Sequence, residues 1–399
     1  MGQTPITGDA DVFFMQLESS FDMVTNSPAT ISFVAGDAIR LTAFDSEPVQ
    51  DWHEINEFNG SPSLEGLVEG KRHGTWSGTA SIRTNAAGTA SPMAPIWQAG
   101  LGGTVVNSPG VSNTYNMVAT TPKSIMVLKH NSRESRTELL TGGWVAKLAL
   151  VVEGEGNMPS CNFEGGFSSI SFLYGNPVTL SGSGTSVTVA VADRQKLSPV
   201  GLKLKFNAID NGGAGYTCTA YVASTGVMTI TPALGAPLSG AEVIAAVVAT
   251  PSFDGTIRGG TACGFTIEDL GGGNPVNLGF ISSTITVDTG VGPLLKEATT
   301  AKVSGLELVA GRRVNGEVQF YFKDENASYL GDAWNGTAKQ ITLRAGPTTA
   351  GEHIKYVSRK GQMKVSKVDA PKSDVAVWTS QFTAMRYSSS NDEFYIIED

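Results

Sequence analysis

The sequence predicts an all-β protein with a few short helices, and three observations support this fold class. Val187, Val189 and Val191 alternate with polar residues over residues 185–193, which is typical of a half-buried strand. Residues 216–222 and 227–232 flank the turn sequence Ser-Thr-Gly and therefore predict a β-hairpin. The 47 Gly and 18 Pro residues are spread between such runs, as turns are in an all-β chain.

Two short helices are predicted among the strands. In the first, residues 91–100, Ser91 supplies a capping oxygen, Pro92 occupies a first-turn position that needs no N–H, and Gly100 ends the helix. The second covers residues 327–334 and is closed by Asn335-Gly336. Both are too short to determine the fold class.

Composition excludes several classes of protein. The 399 residues are 41% apolar and 16% charged, which fits neither disorder nor a membrane protein and is enough for two or three domains. No apolar run reaches the roughly 18 residues that a membrane-spanning helix needs. The N-terminal residues do not pair a basic segment with an apolar one, so we expect no secretory signal. The sequence predicts a soluble protein, made in a cytoplasm, without membrane insertion.

The charge balance is acidic, with 37 Asp and Glu against 28 Lys and Arg and a net charge of −9. Tight binding of nucleic acid requires clustered positive charge, which this balance opposes. A surface past which nucleic acid slides would need the same balance.

An internal repeat is the most informative feature of the chain. The segment LVEGKR at residues 67–72 returns as LVAGRR at residues 308–313, and each copy precedes a strand-like run and a short helix with a Trp, Trp97 or Trp334. Farther along, residues 115–118, 125–127 and 145–148 align with residues 354–357, 363–365 and 382–385. We interpret the order as a tandem duplication; the alternative is that any two β-rich segments align when gaps are free.

Residues 176–262 match neither copy of the repeat. This stretch is rich in Ser, Thr, Gly and Val, nearly neutral and strand-like. It predicts an inserted small β domain that projects outward, because insertions are tolerated where the host chain is exposed. The predicted domains are therefore residues 1–175, 176–262 and 263–399.

Residues suited to catalysis or metal binding are sparse. The four His residues and the three Cys residues (Cys161, Cys218 and Cys263) have no metal-ligand spacing, and we expect buried thiols. Gly182-Ser183-Gly184 is an incomplete nucleophile elbow, and the paired carboxylates lie in polar surroundings without clustered aromatic residues. We expect no enzyme activity, catalytic residue, metal or cofactor.

Two groups of residues are candidates for contacts between subunits or rings. The basic pairs Lys71-Arg72 and Arg312-Arg313 stand beside carboxylates, and we expect them to pair with carboxylates of an adjacent subunit or strand rather than with nucleic acid. The second group consists of apolar residues in the otherwise polar stretch 45–69, namely Val49, Trp52, Ile55 and Phe58. Either they contact a partner or they pack back onto the parent sheet.

The first 175 residues resemble the major tail tube proteins of long-tailed bacteriophages. The resemblance follows the order of a strand pair (31–33 and 39–44), a long polar connection (45–69), a Gly-Lys-Arg turn, a strand (76–82), the helix (91–100) and closing strands around Ile125 and Lys147. Residues 265–399 resemble a second copy.

This resemblance implies a β-sandwich or half-barrel flanked by a helix, whose inner sheets join around a ring. Stacked rings would form the channel for genome ejection in the virion tail, with the long connection reaching the neighbouring ring. The duplication would make each ring a homotrimer with pseudo-sixfold symmetry. The implied partners are further copies of the chain and the tail terminator, tape measure and distal tail proteins. DNA would pass through the lumen without specific binding, because each neutralised phosphate adds an attachment.

Two other function classes remain open from the sequence. One is an extracellular or surface adhesin whose middle β domain binds glycan. The other is a head–tail connector or capsid decoration protein.

Overall fold

A computed structural model describes residues 11–55, 66–103, 105–117, 122–154, 157–257, 260–295, 302–321, 327–364, 368–369, 376–388 and 393–399. Residues 11–175 contain the strands β1 (Asp11–Leu17), β2 (Ala38–Ile39), β3 (Leu41–Ile55), β4 (Gly66–Ser81), β5 (Arg83–Thr84), β6 (Val105–Ser108), β7 (Ser112–Asn116), β8 (Ile125–Asn131), β9 (Arg136–Glu153), β10 (Ser160–Phe167) and β11 (Ser169–Tyr174). Residues 176–262 contain β12 (Thr179–Ser183), β13 (Ser186–Val189), β14 (Leu197–Ser198), β15 (Lys203–Phe206), β16 (Tyr216–Val222), β17 (Val227–Thr231), β18 (Ile244–Ala246) and β19 (Thr256–Ile257).

The remaining strands are β20 (Gly264–Asp269), β21 (Gly273–Leu278), β22 (Phe280–Asp288), β23 (Val291–Pro293), β24 (Leu306–Leu308), β25 (Arg313–Tyr321), β26 (Lys339–Ala345), β27 (Ile354–Met363), β28 (Val368–Asp369), β29 (Val377–Ala384) and β30 (Tyr395–Glu398). The α-helices are α1 (Met23–Asn26), α2 (Ala94–Leu101) and α3 (Ala327–Trp334), and short 3-10 turns cover Pro28–Thr30, Ala35–Asp37, Val191–Lys196 and Gly260–Ala262. The predicted all-β class is confirmed, as are the hairpin β16–β17 and the bounds of α3.

The first helix begins later than predicted. It starts at Ala94, with Pro95 in its first turn, and ends at Leu101 rather than at Gly100, followed by Gly102, whose φ of 73° provides the left-handed terminus. Ser91 lies before the helix, where its hydroxyl oxygen accepts the N–H of Met93 at 3.2 Å. The tertiary contacts of Ser91, described below, explain why it does not cap the helix directly.

The predicted connection 45–69 was wrong as a loop, and so was the Gly-Lys-Arg turn. β3 and β4 form one long hairpin, paired from Leu41 opposite Ala80 to Ile55 opposite Gly66. Arg72 lies within β4, opposite Gln50, so the basic pair belongs to a strand. The strand predicted at residues 31–33 is also absent, because a 3-10 turn precedes it and Ile31 is buried without strand pairing.

The two ends of the chain have the same strand order. In the first unit, residues 11–175, hydrogen-bonded neighbours run β2–β1–β8–β9–β10–β4–β3. In the second unit, residues 264–399, they run β21–β20–β26–β27–β29–β25–β22. β28 pairs with β29 and thus extends the β27–β29 hairpin.

Register irregularities align β3 with β22. The β3–β4 register shifts between Leu41 and Ala43, and the β22–β25 register shifts in the same way between Phe280 and Ser282. Bulges are specific features of a strand pair, so their coincidence fixes the correspondence. Along this correspondence Asp45 is the counterpart of Thr284.

A second shared irregularity aligns β9 with β27 and β28. The β8–β9 register shifts between Ile125 and Val127, as the β26–β27 register does between Lys339 and Ile341. The offset between β9 and its counterpart is 218 residues, since Gly143 and Gly361 occupy matching places.

The predicted alignments of residues 115–118, 125–127 and 145–148 with residues 354–357, 363–365 and 382–385 are therefore wrong, since β8 corresponds to β26 and β9 to β27. Residues 145–148 lie in β9, the counterpart of β27, whereas Phe382 lies in β29, the counterpart of β10. The reason is the β6–β7 hairpin, which separates α2 from β8 by a segment that the short connection from α3 to β26 lacks.

Two hydrophobic cores separate the strands into three layers. One core lies inside both units and contains Phe13, Val127, Ile285 and Phe382. The second lies on the other face of β1 and β8, where Phe14 and Leu128 pack against the six-stranded sheet β12–β13–β17–β16–β15–β18. The sheet within residues 179–246 thus lies on the far side of β1 and β8 from the first core.

Candidate assembly and channel surface

The two units join through the antiparallel pairing of β9 with β22. Seven residue pairs form this junction, from Glu153 opposite Ser282 to Lys147 opposite Asp288. It makes one continuous sheet in the order β3–β4–β10–β9–β22–β25–β29.

One face of this sheet closes the first core. Leu148, Leu150 and Val152 on β9 are fully buried, as are Ile285 and Val287 on β22. Because strand side chains alternate between faces, the residues between them lie on the opposite face. The sequence alone did not show which alternate set of strand residues lies on the polar side. The burial pattern of β9 and β22 identifies that set.

The opposite face, which we call the polar face, is built from rows of directly opposed residues. One row runs across six strands through Asp45, Ser77, Glu164, Lys147, Asp288 and Arg313. The next row runs through Ala43, Thr79, Asn162, Ala149, Thr286, Asn315 and Thr383. Acidic and small polar side chains dominate these rows.

Each cation of the first row has a carboxylate opposite it. Lys147 Nζ lies 2.9 Å from Glu164 Oε1, and Asp288 is opposite Lys147 on the other side. The hydrogen bond that Lys147 donates to Glu164 raises the pKa of Lys147, and the charge of Asp288 adds to this effect. Asp288 is also opposite Arg313. Each positive charge of the row therefore has a carboxylate directly opposite it, and Lys147 forms an ion pair with Glu164.

The continuous sheet ends in two strands that are paired on one side. Among the described residues, β4 is the sheet partner of β3, and β29 is the sheet partner of β28. These edges are the counterparts of the two strands that meet at the internal junction, since β3 corresponds to β22 and β28 continues the counterpart of β9. Each chain thus contains one complete junction, β9 with β22, and the two edge strands that correspond to a second one.

A buried carboxylate fastens the C-terminal strand to the first unit. β30 pairs with β27 on one side and with β7 on the other. Glu398 accepts hydrogen bonds from the N–H and hydroxyl of Ser91, from Trp97 Nε1 at 3.1 Å and from the Tyr115 hydroxyl at 2.8 Å. Burial raises the pKa of Glu398, and these hydrogen bonds oppose the rise.

The apolar contact candidates lie on or beyond β3. Val49 is half-buried opposite His73 and belongs to neither core. Trp52 and Ile55 are in β3, opposite Glu69 and Gly66, and Phe58 lies outside the described residues. The structure therefore places Val49, Trp52 and Ile55 along the outer edge strand.

The basic candidates occupy two separate places. Lys71 Nζ donates to the carbonyl oxygen of Lys302 at 3.5 Å, and Arg72 forms a β-bridge with the same residue. Arg312 Nε donates to the carbonyl oxygen of Thr289 at 3.2 Å, and burial lowers the pKa of Arg312. Arg313 is opposite Asp288 in the strand register, and its expected pairing with a carboxylate stays a prediction.

Sequence reasoning missed Glu164, Lys147, Asp288 and Glu398. A signal for part of this set was present, because Thr284, Thr286 and Asp288 alternate with buried Ile285 and Val287 in β22. Their neighbours across the sheet come from segments far away in sequence, and no local pattern identifies those neighbours.

The three thiols are buried or half-buried. Cys161 and Cys218 are buried free thiols as expected, and Cys263 is half-buried. Burial raises the pKa of Cys218 to about 12, so its thiol is protonated. In the described part of the chain, no group of three His, Cys, Asp or Glu residues could hold a metal ion. No described helix is long and apolar enough to cross a membrane.

In comparisons with known proteins, no protein-family model matches the chain, and no curated protein matches it in sequence. The continuous sheet, its polar face and its two outer edges are therefore the features that bear on function.

Proposed function

We propose that the chain is a structural subunit of a bacteriophage tail tube, located in the virion tail, whose rings stack into the channel for genome ejection. The observation that carries this proposal is the β9–β22 junction, which joins two units of the same strand order into one sheet. A unit that pairs edge to edge with its like inside one chain has the geometry to do so between chains.

The outer edges supply the next junction. The β27–β28 edge of one chain pairs with β3 of the next chain, in the antiparallel register of β9 with β22. Because Asp45 corresponds to Thr284 and Asp369 to Val151, which are directly opposite at the internal junction, Asp45 lies opposite Asp369 of the neighbouring chain. Such head-to-tail contacts form a ring when the rotation closes.

The register of the sheet favours closure. Directly opposed residues can be followed from Asp45 on β3 across the four strands of the first unit to β22. They lead to Asp288, which lies four residues beyond Thr284, the counterpart of Asp45. The register thus shifts by one residue per strand. A shift of this size gives a strand tilt of about 36°, as in eight-stranded parallel barrels, whose shear number equals their number of strands. Tilts of about 35–45° are the range in which sheets close into barrels.

Three chains would then form a ring with a wide bore. Six units of four strands, spaced about 4.8 Å apart and tilted by about 36°, give a backbone diameter of about 45 Å. The polar face lines this bore, since the other face is covered by the core. Its carboxylates repel phosphates across a Debye length of about 8 Å, so DNA moves past without adhering. The six-stranded sheet of residues 179–246 lies on the outside of the ring.

Cross-linking tests the junction directly. Asp45→Cys combined with Asp369→Cys, treated with a short thiol-to-thiol cross-linker after assembly, should give covalent trimers as the final product. Val151→Cys with Thr284→Cys is the matched positive control, because these residues face each other within one chain and should cross-link without assembly. A variant that carries only one of the two substitutions should give no covalent trimer.

Electron microscopy of the purified protein provides the second readout. Hollow rods with pseudo-sixfold symmetry are expected. Single rings that never stack would indicate a head–tail connector instead, and a dispersed monomer at high concentration would refute the tube. A ring of six whole chains would refute the trimer.

A further inference from the structure

A cavity lies between the first unit and the sheet of residues 179–246. Leu128 on β8 and Leu139 on β9 line it from one side, and Leu202 and Ala246 on β18 line it from the other. Its volume is about 170 Å³, and it is partly open to solvent. Protein interiors contain few voids larger than a water molecule, because unfilled space loses packing contacts. A cavity of this size therefore requires an explanation.

Two glycines in the lining show how the backbone leaves this space open. At Gly201, which has a φ of 86°, an added Cβ would lie 2.8 Å from Ile31 Cδ1 and 3.1 Å from Leu139 Cδ2. The two layers are thus in close contact beside the cavity. At Gly213, which has a φ of 89°, an added Cβ would meet nothing within 4 Å. The loop at Gly213 therefore passes the cavity without filling it.

The interior of the cavity suits an apolar group. It is lined by buried side chains of the second hydrophobic core, namely Ile31, Leu128, Leu139 and Leu202. The Thr137 hydroxyl, also in the lining, is already hydrogen bonded to His130 Nδ1 at 2.9 Å. A dry cavity of about 150 Å³ with walls of Leu, Ile and Phe is large enough to bind benzene. The space described here therefore fits a single aromatic ring.

Lys203 on β15 adds a positive charge at the mouth of the cavity. Its Nζ donates to the Ser32 hydroxyl oxygen at 3.0 Å, and this solvent-exposed pair belongs to the lining. Among the described residues that line the cavity, Lys203 is the one with a charged side chain. An ammonium group carries three N–H donors, and the hydrogen bond to Ser32 uses one of them. The other donors suit a carboxylate, whose oxygens accept hydrogen bonds.

We propose that this space, which we call the Lys203 cavity, binds a small aromatic monocarboxylate. The ring lies between the two layers, and the carboxylate accepts hydrogen bonds from Lys203 and Ser32. The proposal is independent of ring assembly, since a single chain supplies the whole lining. A bound ligand contacts both the first unit and the sheet of residues 179–246, and it therefore stabilises the folded chain. Ligand sites occur preferentially at such boundaries between packed domains.

Benzoate titration of the full chain tests the site. Calorimetry should give a Kd of about 1 mM or lower, as expected for a ligand of this size. Lys203→Met should weaken benzoate binding by at least about 10-fold, through loss of a charge-assisted hydrogen bond, and leave binding of the neutral analogue benzyl alcohol unchanged. Lys205→Met is the matched control, because Lys205 is on the same strand but outside the lining, and should bind benzoate as the wild type does.

NMR spectroscopy and a cavity-filling variant locate the ligand. Benzoate should shift the methyl resonances of Leu128, Leu139 and Leu202, because an aromatic ring changes the magnetic field at nuclei beside it. Ala246→Leu enlarges a lining side chain and should abolish binding of both benzoate and benzyl alcohol. Methyl shifts confined to other residues, or a wild-type chain that binds no benzoate, would refute the site. Equal weakening in Lys203→Met and Lys205→Met would refute recognition of the carboxylate by Lys203.

Discussion

The inner and outer edges of the two units use matching strands in different surroundings. At the inner junction β9 pairs with β22, Trp97 is buried and Glu398 has its donors around it. At the outer edges β3 and β28 have one described partner strand each. The chain thus forms within itself the contact that we propose it makes between copies. Mutations can therefore weaken the inner junction, and their effects indicate which contacts the outer junction needs.

The largest effect is expected from removing the carboxylate that fastens β30. Glu398→Ala leaves the Ser91, Trp97 and Tyr115 donors buried without an acceptor, and should lower the free energy of unfolding by at least about 3 kcal/mol. Urea unfolding followed by tryptophan fluorescence measures the loss. Glu134→Ala, at an exposed turn, should change stability by under about 0.5 kcal/mol. Equal losses in the two variants would contradict the fastening role.

A smaller loss is expected where glycine lies beneath a phenylalanine. In both units the strand pair next to the bulged hairpin places a Phe ring over a Gly, Phe163 over Gly78 and Phe382 over Gly316. A Cβ at position 316 would lie 2.1 Å from the Phe382 ring, so Gly316→Ala should cost about 1–3 kcal/mol through overpacking. Gly311→Ala, whose added Cβ would meet nothing within 4 Å, is the matched control in chemical denaturation. If both variants lost the same free energy of unfolding, the loss would come from the backbone rather than from overpacking.

A weaker effect is expected on adhesion of DNA to the polar face. Glu164→Gln with Asp288→Asn removes the carboxylates opposite Lys147 and Arg313, so duplex DNA should bind at low salt where the wild-type protein does not. With about two added phosphate contacts, the logarithm of affinity should fall with the logarithm of salt with a slope of about −1.8.

The control for this measurement removes the same charge elsewhere on the polar face. Asp45→Asn with Glu153→Gln changes the net charge equally, but these carboxylates are opposite Ser77 and Ser282 rather than a cation. Filter binding of both double variants separates local pairing from total charge. If the control variant retained as much DNA, the carboxylates opposite Lys147 and Arg313 would have no specific role in preventing adhesion.

The smallest effect concerns pH. Because burial raises the folded-state pKa of Glu398 above its ordinary value of 4.5, folding favours the protonated acid. The contribution of this group is fully present below pH 4.5 and declines as the pH rises through the folded-state pKa. The wild-type protein should therefore lose stability relative to Glu398→Gln as the pH rises from 4 to 8 in parallel denaturation series. A difference that is constant or grows with pH would contradict the raised pKa.

Local sequence patterns predicted much of the secondary structure. Residues 327–334 form α3 within its predicted bounds, and the hairpin β16–β17 lies where its turn sequence indicated. Predictions failed where tertiary contacts override propensity. The polar run after Asp45 is strand because β4 pairs along its whole described length, and Ser91 turns away from the helix toward Glu398.

The fold class and the acidic charge balance could be read from the sequence alone, because alternation, turn residues and composition do not depend on distant contacts. The sequence indicated a repeat, but its strand-by-strand alignment required the pairing of distant strands. Only the tertiary structure decided that β9 meets β22, that Asp288 lies between Lys147 and Arg313, and that Trp97 is buried while Trp334 is exposed. Strand pairing joins segments more than 100 residues apart, through backbone hydrogen bonds that every residue type except proline can donate and accept. The choice of partner strand therefore depends on the packing of the whole core and is absent from any local pattern.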